Sequence, residues 1–408
     1  MPLDTLANLE RVERMRKLKY LDYWIMVPYL ILSVLGIVMV YSASADIGSQ
    51  NGGSPFGYLV KQTGFVIFGL VILVFMLSMN LQRLRDRGPQ RLMLIVAFLS
   101  LFGLFLIGKT VNGAAGWFHL GPISIQPAEF MKFYLIIFMA HSVANRQEDL
   151  EEGYGWWSTF AEPIVISAAI VFLILLQPDL GGAAINAMIV WIILLASGFN
   201  YRRAATYLTG VILGAIVIGL PLLGKISTMS FAQHSYKMKR IVAFMHPFDH
   251  SQTVGQQLVN SYYALSNGGV FGVGWGNSIQ KTGYLPEPNT DFIMAILAEE
   301  LGLITAIVVI TLLFVIIIRI VYIGKNARSA YHGLICYGAA TYLTVQSFFN
   351  LGGVLGMLPI TGVTFPFISY GGSSTLTLAL VLGVVLNISA RQRGYQPRSV
   401  TPEAETED

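Results

Sequence analysis

Ten apolar runs dominate the chain, at about 23–43, 58–78, 92–108, 128–143, 163–177, 181–199, 204–223, 292–318, 331–355 and 373–390. Allowing several residues at either end, each can cross roughly 30 Å of hydrocarbon. A backbone in lipid has no water to bond, so an isolated run of this kind must satisfy its own N–H and C=O groups as a helix. The pattern predicts an all-α polytopic membrane protein with ten transmembrane helices and excludes a soluble domain. Composition agrees: 12% of residues are charged, against roughly 25% in soluble domains.

The cations set the orientation. Arg11, Arg14, Arg16, Lys17 and Lys19 precede the first run, and further clusters follow at Arg83–Arg91, Arg146, Arg202–Arg203, Arg319–Arg328 and Arg391–Arg398. All fall on one set of alternate loops, whereas the short loops of the other set hold only Lys109. The positive-inside rule then places both termini in the cytoplasm. Residues 44–57, 109–127, the QPDLGG corner at 177–182, the long segment 224–291 and the loop 356–372 face outward. Connections as long as 224–291, between the seventh and eighth spans, are generally functional or disordered. Its aromatics and the run LVNSYYAL argue for order, as short helices on the outer surface.

The expected organisation is a basic amphipathic N-terminus over 1–22, a membrane domain over 23–393 and a polar, disordered tail over 394–408. The first run is full length and lacks a small-residue cleavage site, so no cleavable signal peptide is expected. Cys336 lies inside a run and reads as a small core residue. QPAE at 126–129 and QPDL at 177–180 are too short to establish an inverted repeat.

Chemistry-bearing residues gather on the outer side. Asp291 stands where the 292–318 run begins. With Thr290 as the helix cap, Asp291 would occupy the first turn, where the dipole favours a carboxylate by about 0.3–1 kcal/mol. A small-residue stripe, Ala295, Ala298 and Gly302, would turn that face toward protein. Glu299 and Glu300 lie roughly 12 Å deeper. Acids at that depth are functional candidates or pair with a buried cation. Lys132, in SIQPAEFMK, is an intramembrane cation one turn after Glu129, with Pro127 starting the helix. It either pairs with Glu129 or binds an anion from the outer leaflet. Ser369, Tyr370, Gly371, Gly372, Ser373 and Ser374 form a hydroxyl-rich turn at a helix start, which suits an anion or a plain helix entry.

The long outer segment adds Lys237, Lys239 and Arg240, then Gln257, Ser261 and Lys281. His234, His246 and His250 lack the spacing of a tight metal site and read as structural. No complete Walker A or Rossmann signature is present, and no nucleic acid partner is expected. An acid, several cations and an anion-cradling turn on one side suit an anionic, lipid-borne substrate.

Three segments, NGAAGWFHLGPISIQPAEFMK, YLPEPNTDFIMAILAEELG and PFISYGGSS, resemble the signature segments of the SEDS (shape, elongation, division and sporulation) family. The resemblance runs from about residue 20 to 393, and the 250–302 region looks closer to division-type than to elongation-type members. It implies a peptidoglycan glycosyltransferase that polymerises lipid II outside the membrane, at the septum, with a class B penicillin-binding protein and other division proteins. Asp291 matches the family's essential acid. Lys132, Glu129, Arg240, Gln257, Ser261, Lys281 and the Ser369–Ser374 turn fall in segments that the resemblance ties to substrate handling. Many members carry a histidine where this chain has Asn289, which argues against a base at that position.

The implied reaction joins a sugar hydroxyl to a sugar pyrophosphate with inversion. Pyrophosphate is already a good leaving group, so one base suffices where glycosidases need two carboxylates. Asp291 is expected to be that base on the acceptor 4-hydroxyl, with Lys132 and Arg240 stabilising the pyrophosphate. No tightly bound cofactor is expected, but a divalent cation, magnesium or manganese, could share that load. A lipid II flippase and a non-catalytic division scaffold are the alternative readings.

Overall fold

Asp22 starts the first helix, its carboxylate accepting from the N–H of Trp24 at 3.2 Å. It is fully buried and also meets Arg319 (2.9 Å) and Arg393 (2.7 Å), so one acid ties the beginning of the membrane domain to its end. The computed structural model describes residues 19–45, 55–107, 109–111, 114–120, 123–147, 152, 156–197, 206, 210, 244–251, 253 and 255–394. The N-terminal segment 1–18, nearly all of the run at 204–223, the basic cluster Lys237, Lys239 and Arg240, and the tail 395–408 lie outside the described residues.

The helices are α1 (Tyr23–Ala43), α2 (Pro55–Ser78), α3 (Gln82–Arg85), α4 (Arg87–Ile107), α5 (Pro127–Asn145), α6 (Trp156–Leu176), α7 (Leu180–Leu195), α8 (Gln256–Gly268), α9 (Ile293–Lys325), α10 (Ala330–Val354) and α11 (Gly372–Gln392). All the expected runs except 204–223 coincide with one of them. Among the described residues, five helices are long and apolar enough to cross a membrane, those at Tyr23–Ala43, Pro55–Ser78, Ser158–Leu176, Ile293–Lys325 and Gly372–Gln392. α11 is the most enclosed of these, with 83% of its most apolar window buried; it packs against α2 and α5, while α9 packs against α1, α8 and α10. Val34, Val71 and Leu99 are among the apolar side chains left exposed on the outer helices, as lipid contact requires.

One expectation needs correction: the chain is not wholly α. Strands β1 (Lys109–Val111), β2 (Ala114–Leu120) and β3 (Ile123–Ile125) form an antiparallel sheet in the order β1-β2-β3. Phe118 pairs with Ile125 and Leu120 with Ile123. Two short runs flanking Gly121-Pro122 carried a hairpin signal that the surrounding helical pattern masked.

The helix start at Asp291 also differs from expectation. α9 begins at Ile293, and Thr290 makes no cap; its hydroxyl turns back to Glu287, donating to the Oε2 at 3.2 Å. Gly302 is not part of a helical stripe either. Its backbone (φ 81°, ψ 172°) breaks α9 into two helices, and the loop after α8 fills the break. Val273 and Gly274 donate to the carbonyls of Glu299 and Glu300, and Leu303 donates to Gly269, all at 3.0 Å. The backbone groups freed by the break are thereby satisfied at membrane depth.

Both deep acids serve this junction. Glu300 accepts from Lys281 (2.6 Å) and from Ser42 on α1 (2.7 Å). Glu299 accepts from Asn267 (2.8 Å), the N–H of Ile279 (3.1 Å) and the Ser278 hydroxyl. They are structural, one by ion pairing and one by a ring of donors. A Cβ on Gly302 would lie 2.4 Å from the Val270 carbonyl. Gly302→Ala is therefore expected to cost more than the roughly 1–3 kcal/mol of a strained backbone alone. A thermal melt of the detergent-solubilised variant would reveal it; an unchanged midpoint would contradict the account.

Candidate active site

The ends of five segments enclose a cleft of ≈ 240 Å³. Gly116 and Trp117 of β2, Gln126 and Glu129 at the start of α5, and Gln177–Asp179 at the α6–α7 corner form one side. Glu287, Thr290 and Asp291 form another, with residues 361–364 and Tyr370, Gly371 and Ser374 closing the rest. Segments more than 240 residues apart in sequence thus meet around Asp291.

The Asp291 strip is gripped from several elements. Asn350 of α10 donates to the Asp291 carbonyl and to the Val363 carbonyl, both at 2.7 Å. The Ser369 hydroxyl donates to the Thr290 carbonyl (2.6 Å), and the Tyr370 N–H donates to the Asn289 carbonyl (2.8 Å). Asn289 is buried and points away from the cleft, donating to Ser44 at 2.9 Å. It ties this strip to the end of α1. These contacts hold the backbone, and Asp291, half-buried, lines the cleft.

Asn350 welds two walls of the cleft together. Asn350→Ala would orphan both carbonyls at about 1–3 kcal/mol each when buried. The expected result is a fall in kcat larger than any change in KM, measured on protein that still elutes as a single species.

Lys132 sits behind the cleft rather than in it. It is fully buried and donates to Glu129 (2.5 Å) and to Gln346 of α10 (3.0 Å), with its ammonium 4.9 Å from the centre of the Tyr342 ring. Gln346 passes the connection on, donating to the Thr364 carbonyl (3.0 Å) and to Ser374 (3.3 Å). A buried polar relay therefore supports two wall residues from below. Glu129 itself lines the cleft.

The turn before α11 meets the same space. Gly371 is the N-cap and no side chain caps this terminus, so its positive dipole end borders the cleft. A Cβ on Gly372 would lie 2.6 Å from the Phe65 ring, so a larger residue there requires that ring to shift. Ser373 is buried and accepts from the Gln126 N–H at 2.9 Å, joining α11 to α5. Burial, reinforced by Tyr58, holds the Tyr370 phenol above its ordinary pKa, so it remains a hydrogen-bond donor at neutral pH.

Other expected substrate contacts lie elsewhere. Ser261 is fully buried and donates to the Val354 carbonyl at 2.8 Å. Lys281 is committed to Glu300, and Gln257 stands half-buried on α8, outside the cleft lining. In Ser261 and Lys281 each polar atom already has a buried partner. Arg240 lies outside the described residues.

Sequence reasoning also missed residues. Asp179 lines the cleft, accepts from the Gly182 N–H (2.7 Å) to cap α7, and accepts from Gln126 (3.0 Å). Its signal was the acid of the outward QPDLGG corner. Glu287 lines the cleft with backbone in the left-handed region (φ 55°); nothing but its nearness to Asp291 marked it. Asn350 and Gln346, polar residues within an apolar run, were legible as buried donors without visible partners.

The sequence model of the FtsW, RodA and SpoVE cell cycle protein family matches residues 23–394. A Lactococcus lactis protein named "Probable peptidoglycan glycosyltransferase FtsW" is 39% identical over 93% of this chain and 94% of its own length. A Bacillus subtilis protein of the same name is 39% identical, covering 92% of each chain. Among solved structures, a chain from work on the structural coordination of polymerization and crosslinking by a peptidoglycan synthase complex superposes with a TM-score of 0.71. It is 25% identical, over 92% of this chain and 99% of that one. Thermus thermophilus RodA shares the fold, with a TM-score of 0.62 at 24% identity over 92% of this chain and 98% of its own. With matches of this length on top of the motifs around Asp291, the chain belongs to the FtsW/RodA/SpoVE family of cell cycle proteins, on its FtsW side.

Proposed function

We propose that this multi-pass membrane protein is a peptidoglycan glycosyltransferase that polymerises lipid II at the outer face of the cytoplasmic membrane during septal wall synthesis. The observation that carries the reading is the single cleft in which Asp291, Glu129 and the uncapped start of α11 meet. Its family membership and the names of its relatives support the activity. Ten spans and cytoplasmic termini fit the charge distribution. The cleft lies at the start of α5, whereas Arg146, Arg319 and Arg393 lie at the ends of α5, α9 and α11 remote from it.

Asp291 takes the proton from the acceptor 4-hydroxyl as the sugar oxygen attacks the anomeric carbon. The undecaprenyl pyrophosphate departs from the opposite face, inverting the centre. The N-terminus of α11 and Tyr370 supply donors to the departing oxygens. Lys132 acts through Glu129 and Gln346 rather than by touching substrate, and Arg240 is the cation left to contact pyrophosphate directly.

Asp179, Glu287 and Asp291 offer hard oxygen donors. No group of three or more metal-ligating side chains is drawn together among the described residues. The donor set fits a magnesium-class ion that takes one or two carboxylates and completes its shell from phosphate and water. Such an ion would offset the repulsion between pyrophosphate and an acidic wall. A class B penicillin-binding protein is the proposed partner, the reading favoured by the synthase-complex neighbour, and other division proteins complete the septal setting.

Purified protein with its transpeptidase partner should convert labelled lipid II into glycan strands. EDTA should stop the reaction, and magnesium or manganese should restore it. Sealed vesicles test the reading against a flippase: movement of lipid II across the bilayer without oligomer formation would overturn it.

A further inference from the structure

Toward the other end of α5, about 20 Å from the cleft by helix rise, lies a second cavity of ≈ 370 Å³. It opens between the first turn of α4, the last turns of α5 and residues Glu162 and Pro163 of α6. Its wall is basic: Arg87, Arg91 and Arg146 line it beside His141, with Glu162 as the only acid among the described residues. Arg146 is engaged by Glu162. Neighbouring Arg85 is engaged too, donating to Asn145 at 2.5 Å and lying over the Tyr331 ring. Arg87 and Arg91 form no ion pair among the described residues, and both are exposed. Nothing in the proposed polymerisation uses this cavity.

We infer that the cavity binds a phosphate group presented by an anionic phospholipid of the adjoining leaflet. Two guanidiniums in one concavity match phosphate by paired N–H donors, and basic pockets between membrane helices suit lipid headgroups. The surroundings select a lipid source over free phosphate. Phe138 and Pro163 make part of the wall apolar. From Arg91 onward, α4 exposes Leu92, Ile95, Val96 and Leu99, the i, i+3, i+4, i+7 spacing of one continuous face. A headgroup held at Arg87 and Arg91 would lay its acyl chains along that face.

Native mass spectrometry of the full-length protein, titrated with phosphatidylglycerol, phosphatidylcholine and inorganic phosphate, tests this. Wild type should retain phosphatidylglycerol over phosphatidylcholine, and Arg87→Gln/Arg91→Gln should lower that retention by about tenfold or more. Arg87→Lys/Arg91→Lys preserves the charges but loses the paired N–H donors, so its retention should fall between wild type and the Gln variant, which separates binding from misfolding. Glu162→Gln frees Arg146 and should strengthen retention. The acidic run at 148–152 follows Arg146 in the sequence. If those acids already neutralise the cavity, the Gln variants will match wild type and the inference fails. Displacement of the lipid by inorganic phosphate at equal concentration would assign the cavity to a soluble anion and overturn the lipid source.

Discussion

Asp291→Asn is expected to lower lipid II polymerisation by about 10²- to 10⁴-fold, the range contributed by a positioned general base, while the protein folds normally. The two halves of that expectation have separate causes. Asparagine keeps the shape and loses the basic oxygen, so proton removal from the acceptor hydroxyl fails. The fold survives because Asn350, Ser369 and Tyr370 hold this strip by its main-chain oxygens, which asparagine leaves in place. Glu287→Gln, on the same wall, should retain most activity. Initial rates for both variants, with the partner present, decide the assignment. An active Asp291→Asn beside an inactive Glu287→Gln would move the base to Glu287.

Lys132→Met is expected to be the most destabilising of the site variants. It leaves Glu129 largely buried without its cation, a break that costs about 3–5 kcal/mol, and strips Gln346 of the ammonium that orients it. Removing both charges is different, because an uncharged pair carries no desolvation debt. Lys132→Met/Glu129→Gln should recover most of the lost stability, giving a strongly non-additive cycle. Melting of the two single variants and the double variant in detergent measures it. Additive losses would mean that Lys132 is held by something other than Glu129. Activity adds a second readout: if Lys132 works by supporting Glu129 and the Gln346 relay, the double variant should regain part of its turnover along with its fold.

Class and parts were legible in the linear chain, because the cost of unbonded backbone in lipid forces long apolar runs into helices wherever they occur. Pro127 and Glu129 marked the start of α5 for local reasons, and the structure has proline at the first helical position. The sheet over 109–125 was missed because its short strands draw on partners only a few residues away and lack the long periodicity that announces a helix.

Less legible was where a polar side chain points. In a soluble helix, the polar face shows which side is buried; here lipid-facing and core-facing surfaces are both apolar, so periodicity carries no such signal. Ser261 and Lys281 looked available from their outer-loop position, yet one is bonded to Val354 and the other closes a buried group with Glu300 and Ser42. Glu299 and Glu300, adjacent in sequence and equal in every linear argument, acquire different partners because neighbouring helical positions diverge by about 100° around the axis.

The amino-acid sequence determined the membrane class, the helical runs, the asymmetry of positive charge and, through its motifs, the family and Asp291 as the acid to test. Tertiary structure decided which polar groups share the cleft with it and which are consumed in holding the walls. The physical reason is that a buried polar atom's role is set by the partner that satisfies it. Here those partners, Asn350 for the Asp291 carbonyl and Gln346 for Lys132, come from segments that only the packed helices bring within reach.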